Sequence, residues 1–246
     1  MDQQSRSHVP FPPSPSLRGM DAAACGYSTI HADQWLVVLD KCSGLLSVPG
    51  IGPEKADCLV ARACTRWPTA RIVHRLDRDT SGVIVLALDA ATHRSLSMQF
   101  ERRAVSKRYE ALVAGHPSAD EGSVDLPIRK DLDNPPLQMV DAALGRPSQT
   151  SWRVMERLAA VPEPVRPSTG ADHVPCARLS LSPLTGRSHQ LRLHMRAVGH
   201  TILGDDLYGT PGECAAATRL CLHATALSFT HPGTGERSAF GSPAPF

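Results

Sequence analysis

Apolar runs in this chain are short, and turn signals separate most of them where a doubly wound sheet would need helix-long crossovers. Trp35–Asp40, Val83–Leu88, Lys107–Ala114, Ser151–Leu158, Ala177–Leu184 and Leu220–Phe229 read as strands, and Arg71–Leu76 as a shorter extended piece. Helices are predicted over 54–66, over 90–103 behind an Asp89 cap, and from Thr185-Gly186 onward, where Leu191, His194, Met195 and Val198 share a face. Residues 115–150 read as loops and a hairpin, and Val161–Gly170 as a surface loop. After Phe229 the chain reads as a Pro/Gly tail. Strands and helices that alternate this irregularly point to an α+β fold with a mixed, mostly antiparallel sheet and flanking helices.

The chain has 246 residues, enough for one large domain. Residues 1–30, with Pro10, Pro12, Pro13 and Pro15 among serines, cannot offset their ordering entropy and are expected to be a disordered lead. Residues 31–246 are then a single domain. The composition, 41% hydrophobic and only 4% aromatic, excludes a membrane bundle, a collagen and a coiled coil. No apolar run reaches the ~18 residues of a membrane span. The seven cysteines are odd in number and form no CxxC pair, so separate thiols in a reducing cytoplasm are expected. Neither a GxGxxG nor a GxxxxGK[ST] loop occurs, which removes support for a nucleotide cofactor.

The net charge is only +2, from 26 basic and 24 acidic residues. Its distribution is uneven. Residues 178–200 hold four arginines and no acid, and residues 71–110 hold eight basic against five acidic groups. Arginine-rich strips suit bidentate phosphate contacts, although a solvated charged face would read the same way.

The polar stretch His74-Arg-Leu-Asp-Arg-Asp-Thr-Ser-Gly82 lies between two apolar strands. Catalytic groups tend to sit on loops held by a rigid scaffold. Asp77, flanked by Arg75 and Arg78, is expected to be ionised and to serve as nucleophile or base. The plainer alternative is a turn cap or a local ion pair. An Asp77–Asp79 pair for glycoside hydrolysis would lack an acid of raised pKa. His189, His194 and His200 lack the spacing of a zinc helix, so no metal is expected. Tyr109 follows the basic Lys107-Arg108 and is either a half-buried sheet residue or a stacking platform for a base.

His74–Gly82 resembles the HRLDxxTSG signature of the RluA-type pseudouridine synthases. Further segments are similar to that family's motifs and come in its order: Lys41–Gly50, Lys107–Gly115, Gly186–His194, Ile202–Gly209, and Leu222–Ala224 before Phe229–Pro232. Cys42 stands where the family usually has proline, a departure that should affect a loop and not catalysis.

The resemblance implies a pseudouridine synthase catalytic domain with a central RNA-binding cleft. No S4-type domain is expected to precede it. It implies an isomerase that converts uridine to pseudouridine in RNA without cofactor or metal, in the cytoplasm, as a monomer. Among family members the likeness is nearest to those acting on stem-loops of tRNA and 23S rRNA. Carried over by motif, Asp77, Tyr109 and Arg192 are the catalytic residues. Arg192 is expected to pair with Asp77, Tyr109 to stack on the flipped base, and Arg75 to enter the RNA. His74, Thr80, Arg187, His189 and Gln190 complete the expected substrate-binding set. The competing readings are a non-catalytic RNA-binding module of the same fold and a nucleoside or glycoside hydrolase.

Overall fold

A computed structural model describes residues 26–168 and 174–246. Its strands are β1 (Tyr27–Ala32), β2 (Leu36–Lys41), β3 (Arg71–Ile72), β4 (Ser81–Ala87), β5 (Ser106–Ala114), β6 (Glu121–Asp125), β7 (Ile128–Lys130), β8 (Gln138–Val140), β9 (Gln149–Leu158), β10 (Cys176–Pro183), β11 (Leu222–Thr230) and β12 (Arg237–Gly241). The helices are α1 (Leu59–Cys64), α2 (Ala90–Glu101), α3 (Gln190–Ala197) and α4 (Pro211–Ala215). Among the described residues, ten strands form one sheet in the order β1-β2-β4-β11-β5-β10-β9-β6, with β12 beside β11 and β3 beside β4. Only β4 and β11 pair in parallel; β7 and β8 form a separate hairpin. The fold is therefore α+β with a mixed, mostly antiparallel sheet.

Burial explains the strand patterns. All seven residues of β4 are buried, because apolar clusters cover both its faces. A strand covered on both sides reads as a continuous apolar run, as Val83–Ala87 does. On one face Ile84 and Leu86 meet Leu59 and Ala63 of α1; on the other Val83 and Val85 meet Leu96 of α2. Each such fully buried side chain contributes roughly 1.5–3 kcal/mol. A third cluster lies between β5, β10 and α3. Tyr109 packs against this cluster and the one containing α1, where the two meet.

The parallel seam explains Gly82. It pairs with Ala224 at φ 113°, and a Cβ there would lie 2.3 Å from the Ala224 carbonyl oxygen. Only glycine lets the chain leave the 74–81 segment and enter the sheet against β11.

Several expectations are corrected. Residues 1–25 lie outside the described residues, but Tyr27–Ile30, expected in the disordered lead, belong to β1 and pair with β2. The helix expected over 54–66 is confined to α1, preceded by a 3-10 turn at Pro53–Lys55. The loop 115–150 contains β6 as well as the hairpin. Residues 169–170 of the 161–170 loop lie outside the described residues, yet Val161 and Val165 are core residues. The expected tail holds β12, whose Phe240 packs against Phe229. Helix α2 forms as predicted, with the Asp89 carboxylate accepting from the Thr92 N–H at 2.8 Å. The six cysteines among the described residues are free thiols.

Candidate active site

The backbone around Asp77 is gripped from one side by segment 41–47. Ser47 Oγ donates to the Leu76 carbonyl at 2.6 Å and accepts from its N–H at 3.1 Å. Gly44 N–H and the Lys41 ammonium both donate to the Arg78 carbonyl, and Ser43 Oγ donates to that of Asp79. Lys41 is fully buried, and its three N–H groups meet the carbonyls of Cys42, Leu45 and Arg78 at 2.8–2.9 Å. Burial pulls its pKa down to about 8, while Asp79 and Asp77 act in the opposite sense. Arg78 forms a bidentate pair with Asp79 and reaches Asp206 at 3.5 Å.

Asp77 is treated differently. Among the described residues its carboxylate accepts no hydrogen bond and forms no ion pair. It lines a pocket of about 90 Å³ with Arg75, Leu76, Thr80, Tyr109, Thr185, Arg187, Gln190, Leu191, Arg192 and Leu222. One water needs roughly 10–15 Å³ measured this way, so the pocket has room for a small ring. It adjoins a groove of about 650 Å³ that shares Arg75, Asp77, Lys107, Tyr109 and Arg187. Burial raises the Tyr109 phenol pKa, and the charge of Asp77 adds to the rise. Thr80 is buried on the wall of the pocket, and among the described residues its hydroxyl has no hydrogen-bond partner.

Seven of the nine predicted site residues thus converge on the pocket. His74 lines only the groove, stacked on Phe100 at 4.5 Å. Burial lowers its pKa to about 3, and its Nε2 accepts from the Val85 N–H. His189 lines neither cavity; it caps α3 in a left-handed conformation and bonds the Tyr208 hydroxyl at 2.6 Å.

One expected contact is corrected. Arg192 does not hydrogen-bond Asp77. Its guanidinium is spent on Asp205, at 2.8 and 2.5 Å, and on Asp206 at 3.0 Å. Asp77 acts on it only through space. Arg192 is 2% exposed and Asp205 fully buried, so the guanidinium pairs with the acid that is buried beside it. Gln190, expected to bind substrate, lines the pocket with its amide engaged in four internal hydrogen bonds. Its oxygen accepts from Thr185 Oγ1 and Arg187 N–H, and its nitrogen donates to Gln149 O and Thr150 Oγ1. These bonds shape the 185–189 turn, which is why α3 starts at Gln190 and not at Thr185-Gly186.

The sequence reading assigned no role to Asp205, Asp206 or Tyr208. The signal lay in Gly-Asp-Asp-Leu-Tyr-Gly, two acids just after an arginine-rich stretch with none. The basic strip at 178–200 is also not one surface. Arg192 is buried on Asp205, and Arg178 is half-buried beside Glu110 at 3.5 Å.

The three histidines weighed as metal ligands are dispersed. His194 bonds Thr150 and Leu126, and His200 bonds Ala114. One other group, His31, Asp33 and His231, has ligand-like spacing. There His231 Nδ1 accepts from the N–H groups of Gly233 and Thr234, so Nε2 carries the proton and donates it to Asp33 at 2.8 Å. That tautomer pins the end of β1 to the turn after β11 and leaves His231 no lone pair for a cation.

A free carboxylate in a small pocket, beneath a groove rimmed by arginine and lysine, is an arrangement suited to chemistry on a polyanion. Residues 35–197 match the sequence pattern of the RNA pseudouridylate synthase family. The chain is 46% identical over 217 residues to the dual-specificity RNA pseudouridine synthase RluA of Escherichia coli K12, covering 88% of this chain and 93% of that protein. Identity to the protein of the same name from Haemophilus influenzae is 43% over the same shares. Among solved structures, human RNA pseudouridylate synthase domain containing 1 superposes with a TM-score of 0.74 at 27% identity, over 92% of this chain and 87% of that one. The chain belongs to the RNA pseudouridylate synthase family and is an RNA pseudouridine synthase, an isomerase.

Proposed function

We propose that this enzyme isomerises a uridine in a stem-loop of tRNA, of 23S rRNA or of both, with Asp77 as the catalytic carboxylate. The carrying observation is that, among the described residues, Asp77 has no ion-pair partner while Asp79 of the same loop pairs with Arg78, and Asp77 lines a pocket sized for a ring. The dual specificity named for the relatives at 43–46% identity supports the substrate class. Helices of the described residues are all too short to cross a membrane. The enzyme is read as cytoplasmic and monomeric.

In the reaction the N1–C1′ bond breaks, the uracil turns, and a C5–C1′ bond forms. The C5 proton is lost and N1 gains one, so atoms and electrons balance without a redox cofactor or a metal. Asp77 either attacks C1′ or removes the C2′ proton to leave a glycal. The nucleotide must leave its stack, at a cost of a few kcal/mol. Arg75, exposed at the mouth, fills the space it vacates, and Tyr109 holds the loose base. Arg192, locked on Asp205, presents a fixed positive field to Asp77. Asp79, neutralised by Arg78, is unavailable as the second carboxylate of a hydrolase.

Mapping pseudouridines in tRNA and 23S rRNA from cells with and without the gene tests the substrate. Loss at an anticodon stem-loop, a 23S hairpin or both is expected; identical maps in both RNAs refute it. Tyr109→Ala tests the clamp. Base stacking is worth about 1–3 kcal/mol, so kcat/KM for the RNA should fall roughly 5- to 150-fold. Tyr109→Phe keeps the ring and should retain most of the activity; equal losses in both would transfer the role from ring to hydroxyl.

A further inference from the structure

Helix α2 ends in a complete Schellman motif. Ala104 N–H donates to the Gln99 carbonyl at 2.9 Å, and Arg103 N–H donates to that of Phe100 at 3.2 Å. The residue between must be left-handed, a place usually filled by glycine. Here it is Arg103, at φ 57°. That conformation crowds the Cβ of any L-residue. The turn is held from outside, because Arg237 donates to the Ala104 carbonyl at 2.8 Å and to Ser106 Oγ at 3.0 Å. Strain maintained where glycine would fit directs attention to what the side chain does.

The Arg103 side chain lines the 650 Å³ groove that opens from the Asp77 pocket. Arg75, Lys107 and Arg187 line it too, against the acids Asp77 and Glu101. None of these four cations has an acidic hydrogen-bond partner among the described residues. Lys107 donates to the Thr185 carbonyl and Arg187 to that of Pro147. Burial, with the Arg103 charge acting in the same sense, brings the Lys107 pKa down to about 8. The Arg187 pKa is lowered in the same way, by burial first and then by Arg146 and Arg103. Four cations against two acids on a concave surface leave an excess of positive charge that a phosphodiester chain neutralises.

We propose that Arg103 is a phosphate contact for the substrate strand, set into the groove by the left-handed turn at the end of α2. The proposal rests on the reading of RNA as substrate and adds a positioning residue at a distance from the reacting base. Arg103→Gly separates fold from function, since the two effects have opposite signs. Glycine relieves the turn, so the Tm should hold or rise by about 2–4 °C. Losing a charged contact should weaken binding of bulk tRNA about tenfold or more. The slope of log K against log salt should become shallower by roughly 0.7–0.9. Arg102→Ala, which removes the same charge one residue away from outside the groove, should change neither quantity.

Unchanged affinity and slope in Arg103→Gly would overturn the proposal, as would an equal loss in Arg102→Ala. A clear fall in Tm would show that the arginine serves the fold. Wild-type enzyme that binds RNA with the predicted salt dependence yet forms no pseudouridine would refute the functional reading and leave Arg103 in place.

Discussion

Asp77→Asn is expected to abolish pseudouridine formation, with a loss of about 10³–10⁴-fold or more in single-turnover rate. The carboxamide has the shape of the carboxylate but neither its charge nor its nucleophilicity. Folding should hardly respond. Asp77 accepts no hydrogen bond among the described residues, and its loop is held through backbone groups by Lys41, Ser43, Gly44 and Ser47. Stability should therefore stay within about 0.5 kcal/mol of wild type. RNA affinity should be kept or slightly improved, because one negative charge leaves a groove that receives a polyanion. Carbodiimide labelling of the product RNA measures the rate, and calorimetry checks the fold. Activity within tenfold of wild type would remove Asp77 from the chemistry.

The largest stability effect is expected at Asp205→Ala. Asp205 is fully buried and Arg192 is 2% exposed, and they meet in a bidentate pair. Removing one partner of such a pair leaves a buried charge uncompensated, which costs about 3–5 kcal/mol. Asp206, which is 46% exposed, replaces only part of the interaction. Asp205 also accepts from the N–H groups of Leu207 and Tyr208, so the turn that carries Tyr208 loosens with it. For a chain of this size the Tm should fall by roughly 6–20 °C. Arg192→Met combined with Asp205→Leu should recover the part of that loss that comes from the uncompensated guanidinium, but not the part from the orphaned Leu207 and Tyr208 N–H groups, since apolar groups of similar volume often replace a buried pair at little cost. It should not recover activity, because the fixed cation facing Asp77 is gone. A loss below 1 kcal/mol in the single variant would mean that Arg192 finds another partner.

Much of this molecule is legible along the chain. The strands that became β2, β4, β5, β9, β10 and β11 carry their own apolar pattern, because each is paired on both sides and covered on at least one face. Helix α2 is announced by its Asp89 cap and its apolar spacing. Strands β1 and β12 lie at or off the sheet's edge. Their residues are mostly half-exposed, so neither shows a pattern that separates it from a loop. Helix α3 misled in another way. Thr185-Gly186 looks like a helix start, but the Gln190 amide gathers the preceding turn and delays the helix.

The sequence by itself determined that Asp77 would sit on a polar loop leading into a buried strand, because hydrophobic burial and turn chemistry are local properties. It also placed Tyr109 on a strand and a cationic excess near both. Only the tertiary structure decided which charges meet. Arg192 finds Asp205 and Arg78 finds Asp79 and Asp206, while Asp77, between two arginines in sequence, has no ion-pair partner among the described residues. A charge pair is made by distance and burial, and neither is written in the order of residues.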